Sequence, residues 1–159
     1  MTTRSTCAIL TVDAGGHVAT FADPVAGKGT LAITNGTLVT DGGVAETLGI
    51  VAKAGGVFEW GAAQSLRSVA CEEGGALRFT AFGQPLTVKE CVNLATLDLT
   101  CPADLDAGNP HWRTVIVSPA GFAGALASVP RAFAARIVET AEGWALQLRR
   151  VVGLSVSIR

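Results

Sequence analysis

Three aspartates near the middle of the chain offer the clearest opportunity for chemistry. Asp98, Asp104 and Asp106 lie close together in the sequence, and paired carboxylates are what glycoside cleavage or a calcium-assisted β-elimination requires. A lyase also needs a basic side chain on the same face, and Arg78 precedes the cluster. However, Asp104 and Asp106 fall among Pro, Gly and Asn residues, where acidic side chains are common in loops. We therefore predict no catalytic residue and no enzymatic activity.

The side chains that could bind a transition metal are four cysteines and two histidines, namely Cys7, Cys71, Cys91, Cys101, His17 and His111. The cysteines lack the C-x-x-C spacing of zinc sites, and neither histidine has a carboxylate or a second histidine close to it in the sequence. We therefore predict no metal site, and each histidine is interpreted as a surface or turn residue.

The segment Gly27-Lys28-Gly29-Thr30 is similar to the end of a phosphate-binding loop. The first glycine of that motif would fall at Ala22, and the residues after Thr30 have the pattern of a strand. The motif needs a helix instead, because the N-terminal amides of the helix hold the phosphate. No cofactor is predicted.

A regular spacing organises the residues around these groups. Two sets of positions recur every 19 residues: Leu31, Ile50, Val69 and Val88, and Gly36, Gly55, Gly74 and Asn93. Each apolar triplet is followed by a Gly or Asn turn and by a second segment in which apolar and polar residues alternate. An earlier copy begins at Leu10. Such a period indicates stacked turns with one shared core.

We predict an all-β fold, a right-handed parallel β-helix of about five coils of 19–20 residues, with coils over residues 1–106. A leucine-rich repeat has a similar length, but its Asn ladder and helical segment are missing. An antiparallel jelly roll remains the alternative, since short alternating strands with Gly turns are also typical of that fold. The fixed register of the glycines favours the β-helix.

The period also predicts which side chains face inward. Leu31, Ile50, Val69 and Val88 should form one inward column, and Phe58, Leu77 and Leu97 a second one. Because strand side chains alternate between faces, Glu59 and Arg78 should lie side by side in solvent on neighbouring coils.

Three cysteines fall at positions where coils could be linked. Cys71 and Cys91 are one repeat apart, so a disulfide could join adjacent coils, and Cys91 with Cys101 is the other pairing. The favoured interpretation of Cys71 is a buried thiol, because it takes the place of the small residue Ala52 one coil earlier.

The C-terminal third departs from the period. Residues 112–117 have the pattern of a strand, and residues 133–138 and 144–149 alternate as two strands joined by the Gly-containing loop 140–143, which predicts a β-hairpin. A last strand is predicted over residues 153–158. We interpret residues 107–159 as an antiparallel β cap on the coils.

Composition and charge exclude several partners. The net charge is −1, and the basic excess from residue 131 onward is too small to predict a nucleic-acid partner. No run of about 18 apolar residues exists, so no membrane span is predicted. The N-terminus has no apolar signal region. Because residues 10–18 already have the pattern of a coil interior, we expect the chain to be part of a longer exported polypeptide.

The C-terminal residues resemble a known family. Thr114-Val115-Ile116-Val117, Gly121-Phe122-Ala123-Gly124, the stretch Gly143–Leu148 and Gly153-Leu154-Ser155-Val156 follow coils that contain Gly-Gly turns. Together they resemble the C-terminal end of bacterial autotransporter-associated β-strand repeat proteins, which are large exported β-helix proteins. The four cysteines are a departure, since such repeats are usually poor in cysteine.

The resemblance implies an extracellular or cell-surface stalk, used as an adhesin or as a scaffold beside carbohydrate-active modules, with a surface carbohydrate or a protein as ligand. It implies no catalytic residues. The resulting hypothesis is a non-enzymatic structural or adhesive β-solenoid segment of an exported or cell-surface bacterial protein. The alternative is a polysaccharide-binding or polysaccharide-lyase-like β-helix.

Overall fold

The computed structural model describes residues 8–105 and 109–151. Strand is the main secondary structure and accounts for 54% of the residues. In chain order the strands are β1 (Ile9–Asp13), β2 (Val18–Phe21), β3 (Gly29–Thr34), β4 (Gly36–Thr40), β5 (Leu48–Ala52), β6 (Gly56–Trp60), β7 (Gln64–Leu66), β8 (Ser68–Cys71), β9 (Ala76–Phe79), β10 (Leu86–Val88), β11 (Val92–Asn93), β12 (Leu99–Thr100), β13 (Arg113–Ser118), β14 (Phe122–Ala123), β15 (Phe133–Thr140) and β16 (Gly143–Arg150). A short 3₁₀ helix, Leu94–Thr96, lies between β11 and β12.

The strands stack into parallel sheets, each of which takes one strand from successive turns of the chain. The first sheet has the order β1-β3-β5-β8, and the second has the order β2-β4-β6-β9-β12. The third contains β7, β10 and β13 in parallel, and β13 continues into β16 and β15. The fold is therefore a β-solenoid of about five turns. This confirms the predicted parallel solenoid, while its right-handedness stays a prediction.

The first inward column follows the 19-residue spacing over three coils. Leu31 pairs with Ile50 and Ile50 with Val69, and all three are buried. The expected fourth member is wrong, because Val88 pairs with Leu66 in the third sheet. It is buried there, but on another side of the core.

A longer connection in the fourth coil causes this change of register. Residues 61–63 join β6 to β7, whereas residues 80–85 join the equivalent strands β9 and β10. The extra residues place the Phe82 ring between those of Phe79 and Phe133, with centroid distances of 5.3 and 6.0 Å. The period therefore ends where an additional aromatic side chain enters the core.

The second inward column is also confirmed in part. Phe58 pairs with Leu77 and both are buried, but Leu77 pairs with Leu99 and not with Leu97. Leu97 is buried at the end of the 3₁₀ helix. That helix replaces the turn expected at Val92-Asn93, where Asn93 accepts a hydrogen bond from the Ala95 amide through its side chain at 3.0 Å.

The earlier turns stack on one another, but Gly36 lies opposite Gly56 and not opposite Gly55, so the predicted 19-residue spacing of the glycines holds from Gly55 to Gly74 only. The amide of Gly36 donates to the carbonyl of Gly55, and the amide of Gly55 donates to the carbonyl of Gly74, at 2.8 and 2.9 Å. The φ angles at this bend are positive: 48° at Asn35, 76° at Gly55 and 81° at Gly74. Glycine and asparagine tolerate this left-handed conformation best. One bend is thus repeated on three coils.

The C-terminal region contains the predicted hairpin. β15 and β16 pair antiparallel from Phe133 opposite Arg150 to Thr140 opposite Gly143, and β16 pairs antiparallel with β13. Parallel pairing also continues beyond residue 107, between β10 and β13 and between β11 and β14. The division at residue 106 and the capping role stay predictions, and the predicted strand 153–158 lies outside the described residues.

The opposite end of the stack has an open edge. Leu10 pairs with Leu31 in the inward column, yet it is 59% exposed, because no described residue covers it from the other side. Ile9 and Val18 are exposed beside it. In the described part of the chain, no helix is long and apolar enough to cross a membrane.

Candidate functional site

The structure places the residues of the predicted acidic cluster in separate interactions. Asp98 precedes β12, and its carboxylate accepts a hydrogen bond of 2.6 Å from the Ser128 hydroxyl. Arg78 instead pairs with Glu59, with 3.2 Å between Nε and Oε2. Asp104 is exposed in a turn, and Asp106 lies outside the described residues. The described groups therefore do not converge as an acid and a base.

A cleft of about 560 Å³ lies beside Asp98, between the segments 98–103 and 129–132. Arg150 forms part of its wall and donates to the carbonyl oxygens of Leu105 and Ala103 at 2.9 and 3.0 Å. Its guanidinium carbon also lies 5.6 Å from the centre of the Phe133 ring. Arg150 therefore holds the 103–105 turn against the hairpin.

Cys101 also lines this cleft. Burial raises the pKa of its thiol, although the positive charges of Arg150 and Arg78 act in the opposite direction. A thiol with a raised pKa is protonated at neutral pH and is a poor nucleophile. The cleft thus contains a carboxylate and a guanidinium that protein groups already engage, together with a thiol whose pKa is raised.

The remaining candidates for metal or disulfide chemistry do not form a common site among the described residues. Cys71 is buried and free, as predicted, and burial raises the pKa of its thiol. Cys91 is exposed and free, and Cys7 lies outside the described residues. His17 and His111 are both exposed. Within residues 8–105 and 109–151, no three His, Cys, Asp or Glu side chains are grouped closely enough to hold a metal ion.

The phosphate-loop segment has the structure expected from its sequence. β3 begins at Gly29, inside the Gly27–Thr30 segment, and continues after it to Thr34. The helix whose amides would hold a phosphate is therefore replaced by extended chain.

A second candidate site lies on the outer surface of the third sheet. The guanidinium carbons of Arg136 and Arg149 are 4.3 and 4.9 Å from the centre of the Trp112 ring. Both arginines are exposed. Trp112 lies in the loop before β13 and is half-buried. We call these three residues the Trp112 cluster.

Hydrogen bonds across three strands orient this cluster. Arg136 Nε and Nη2 donate to Gln147 Oε1 at 3.0 and 2.8 Å, and Gln147 Nε2 donates to Thr114 Oγ1 at 3.2 Å. The three residues are also cross-strand partners, since Arg136 pairs with Gln147 and Gln147 with Thr114. The guanidinium of Arg136 is therefore fixed by a row of side chains on paired strands.

The Trp112 cluster was not predicted from the sequence. The strands that carry it were predicted, but the pairing of β16 with β13, which brings Arg136 and Arg149 to Trp112, was not. The alternating positions of Arg136 on β15 and Gln147 and Arg149 on β16 were the available signal, because they mark one polar face of the hairpin.

Comparison with protein-family models, with curated proteins and with solved structures gave no match to this chain. The function is therefore inferred from the fold and from the two surfaces described above.

Proposed function

We propose that this chain is a non-enzymatic structural or adhesive segment of a β-solenoid in an exported or cell-surface bacterial protein, similar to the autotransporter-associated β-strand repeat proteins. The observation that supports this proposal is the stack of about five parallel coils, in which buried side chains line up from one coil to the next. Such a stack is rigid along its length and presents repeated outer faces for binding.

The edge of the stack at the first coil is a second possible binding surface. In the described part of the chain, one side of β1 is unpaired and its Leu10 is exposed, so this edge can pair with a further β-strand.

The location is tested by cell fractionation with an antibody raised against the purified chain. Recovery in the surface or secreted fraction, with loss of the signal after protease treatment of intact cells, is the expected result. Recovery only in the cytosolic fraction would contradict the proposal.

The proposed absence of enzymatic activity is tested separately, by incubating the purified chain with acidic polysaccharides in the presence of calcium. We expect no unsaturated product and no reducing ends, because Asp98 and Arg78 are engaged by Ser128 and Glu59 rather than by each other. Product formation that disappears in an Asp98→Asn variant would favour a lyase-like site instead.

A further inference from the structure

The Trp112 cluster holds two positive charges close together at the protein surface. Both guanidinium carbons lie within 5 Å of the centre of one indole ring, so the two charges repel each other. The ring offsets this repulsion only partly through its quadrupole. An anion between or beside the two arginines would remove it.

No carboxylate of the described chain neutralises these two arginines. The four ion pairs among the described residues involve Lys53, Arg67, Arg78 and Lys89. The outward positions around the cluster are occupied by Thr114, Gln147 and Ala134, none of which is acidic.

The cluster also has hydrogen-bond donors that no described residue of the chain engages. Arg136 uses Nε and one Nη2 bond on Gln147, which leaves the other edge of its guanidinium for a ligand. Within the described part of the chain, Arg149 contacts Trp112 and makes no hydrogen bond or ion pair with a protein group. Planar guanidinium groups recognise carboxylate and sulfate groups by paired hydrogen bonds.

From this geometry we infer that the Trp112 cluster binds a carboxylate or sulfate group of an acidic polysaccharide, with Arg136 and Arg149 as the anion-binding residues. The inference rests on the proposed adhesive function and gives it a ligand class and a site. The hydroxyl of Thr114 and the amide of Gln147 lie beside the arginines and can contact sugar hydroxyl groups.

The charge distribution favours a polysaccharide over a nucleic acid. Binding to a phosphate backbone generally depends on many basic side chains arranged along one surface. Here two arginines form the cluster in a chain of net charge −1. Such a pair suits one anionic group in each repeating unit of a glycan.

The experiment is isothermal titration calorimetry of the full chain with polygalacturonate, which carries carboxylates, and with dextran sulfate. Neutral dextran and single-stranded DNA are titrated in parallel. We expect both acidic glycans to bind, with an affinity that decreases as salt is added. Neutral dextran should not bind, and the DNA should bind more weakly than either acidic glycan.

Two variants test the site. Arg149→Gln removes one charge. Among the described residues, the Arg149 guanidinium contacts the Trp112 ring, so this variant should still fold. The double variant Arg136→Gln/Arg149→Gln removes both charges. The double variant should weaken binding to the acidic glycans by about tenfold or more, the usual scale for losing charge-assisted hydrogen bonds. Lys28→Gln/Lys53→Gln changes the net charge equally at other surface positions and should change the affinity less than about twofold.

The outcomes separate the site from the proposed function. If the chain binds the acidic glycans and the double arginine variant, folded by circular dichroism, binds equally well, the cluster is the wrong site while the adhesive function stands. If neither acidic glycan binds, or if single-stranded DNA or neutral dextran binds as tightly, the inferred ligand class is wrong. Surface location in the fractionation experiment is independent of either result.

Discussion

Glu59 and Arg78 lie directly opposite each other on β6 and β9, and 3.2 Å separate Glu59 Oε2 from Arg78 Nε. This is the arrangement that the sequence predicts for two outward residues one coil apart. Arg78 Nε itself is buried and makes no hydrogen bond. The two side chains are nevertheless 25% and 42% exposed, so water and salt screen much of the attraction between their charges. The pair therefore shows the register of the two coils but contributes little to their stability.

Reversing the charge of Arg78 should consequently have a small effect. We expect Arg78→Glu to lower the free energy of unfolding by less than about 1 kcal/mol, and the swapped pair Glu59→Arg/Arg78→Glu to recover most of it. Chemical denaturation at low and high salt measures both effects. A loss of several kcal/mol that persists at high salt would mean that the pair is buried.

The inward column should be far more sensitive. Ile50→Asp would place an unpaired charge between Leu31 and Val69 in the core, so we expect the loss of several kcal/mol and unfolding of neighbouring coils. Val51→Asp is the matched control, because the half-buried Val51 lies on the alternate face of the same strand. Circular dichroism and urea denaturation compare the two. Equal losses would show that β5 has the opposite face inward.

Alanine substitutions at two glycines distinguish the effect of steric crowding from that of backbone strain. A Cβ on Gly56 would lie 2.1 Å from the Ile33 carbonyl oxygen, whereas a Cβ on Gly83 would have no atom within 4 Å but would have to adopt φ = +82°. We expect Gly56→Ala to cost about 2–3 kcal/mol through crowding of the stacked backbone. Gly83→Ala should cost about 1 kcal/mol through strain alone.

Urea denaturation of both variants provides the measurement, and the slope of each curve shows whether folding remains cooperative. The reverse order of the two losses would mean that the coils can move apart at Gly56 without a significant penalty.

Sequence spacing predicted the solenoid because the short-range rules for strands and turns are repeated in each coil. Leu31, Ile50 and Val69 follow the period since the chain between them has a constant length. Val88 and Leu97 break it because the fourth coil contains a longer connection around Phe82 and the fifth replaces a turn with the 3₁₀ helix. Local patterns do not reveal such a change in connection length.

The Trp112 cluster could not be predicted for a related reason. Trp112 and Arg149 are far apart in the sequence, and they meet only because β16 pairs with β13 as well as with β15. The acidic cluster illustrates the converse. Asp98 is close to Asp104 in the sequence, but it bonds to Ser128 from the following coil.

The aromatic side chain that breaks the period should connect the coils to the hairpin. Phe82 lies between Phe79 in the second sheet and Phe133 at the start of β15. Phe82→Ala should lower the free energy of unfolding by about 2–4 kcal/mol, since the ring is partly buried and contacts both elements. Hydrogen exchange should also increase in β15 and β16 relative to β3 and β5.

Phe122, which is likewise partly buried beside the core, provides a control at a different position. Phe122→Ala should destabilise the chain without the selective increase in exchange at β15. A uniform increase in exchange after Phe82→Ala would show that Phe82 does not couple the hairpin to the coils.

Cys71 should make stability depend on pH at the alkaline end. Its pKa is raised in the folded state mainly by burial, with a further increase from the Asp98 charge and a decrease from the Asp98 backbone hydrogen bond. The unfolded thiol ionises near its usual pKa of about 8.5, whereas the folded thiol keeps its proton. The unfolded state therefore loses its proton first, and stability decreases as the pH rises from that value through the raised folded pKa.

We expect Cys71→Ala to remove this part of the pH dependence. Alanine fits the position because Ala52 occupies the equivalent place on the adjacent coil and pairs with Cys71. Denaturation at about pH 7 and about pH 10 gives the two free energies, on either side of the usual thiol pKa. Cys91→Ala is the control for the removal of a thiol, because Cys91 is exposed. Cys101, whose pKa is also raised by burial, should keep its own part of the slope in both variants. A slope that Cys71→Ala does not reduce at all would show that Cys71 ionises equally in the folded and unfolded states.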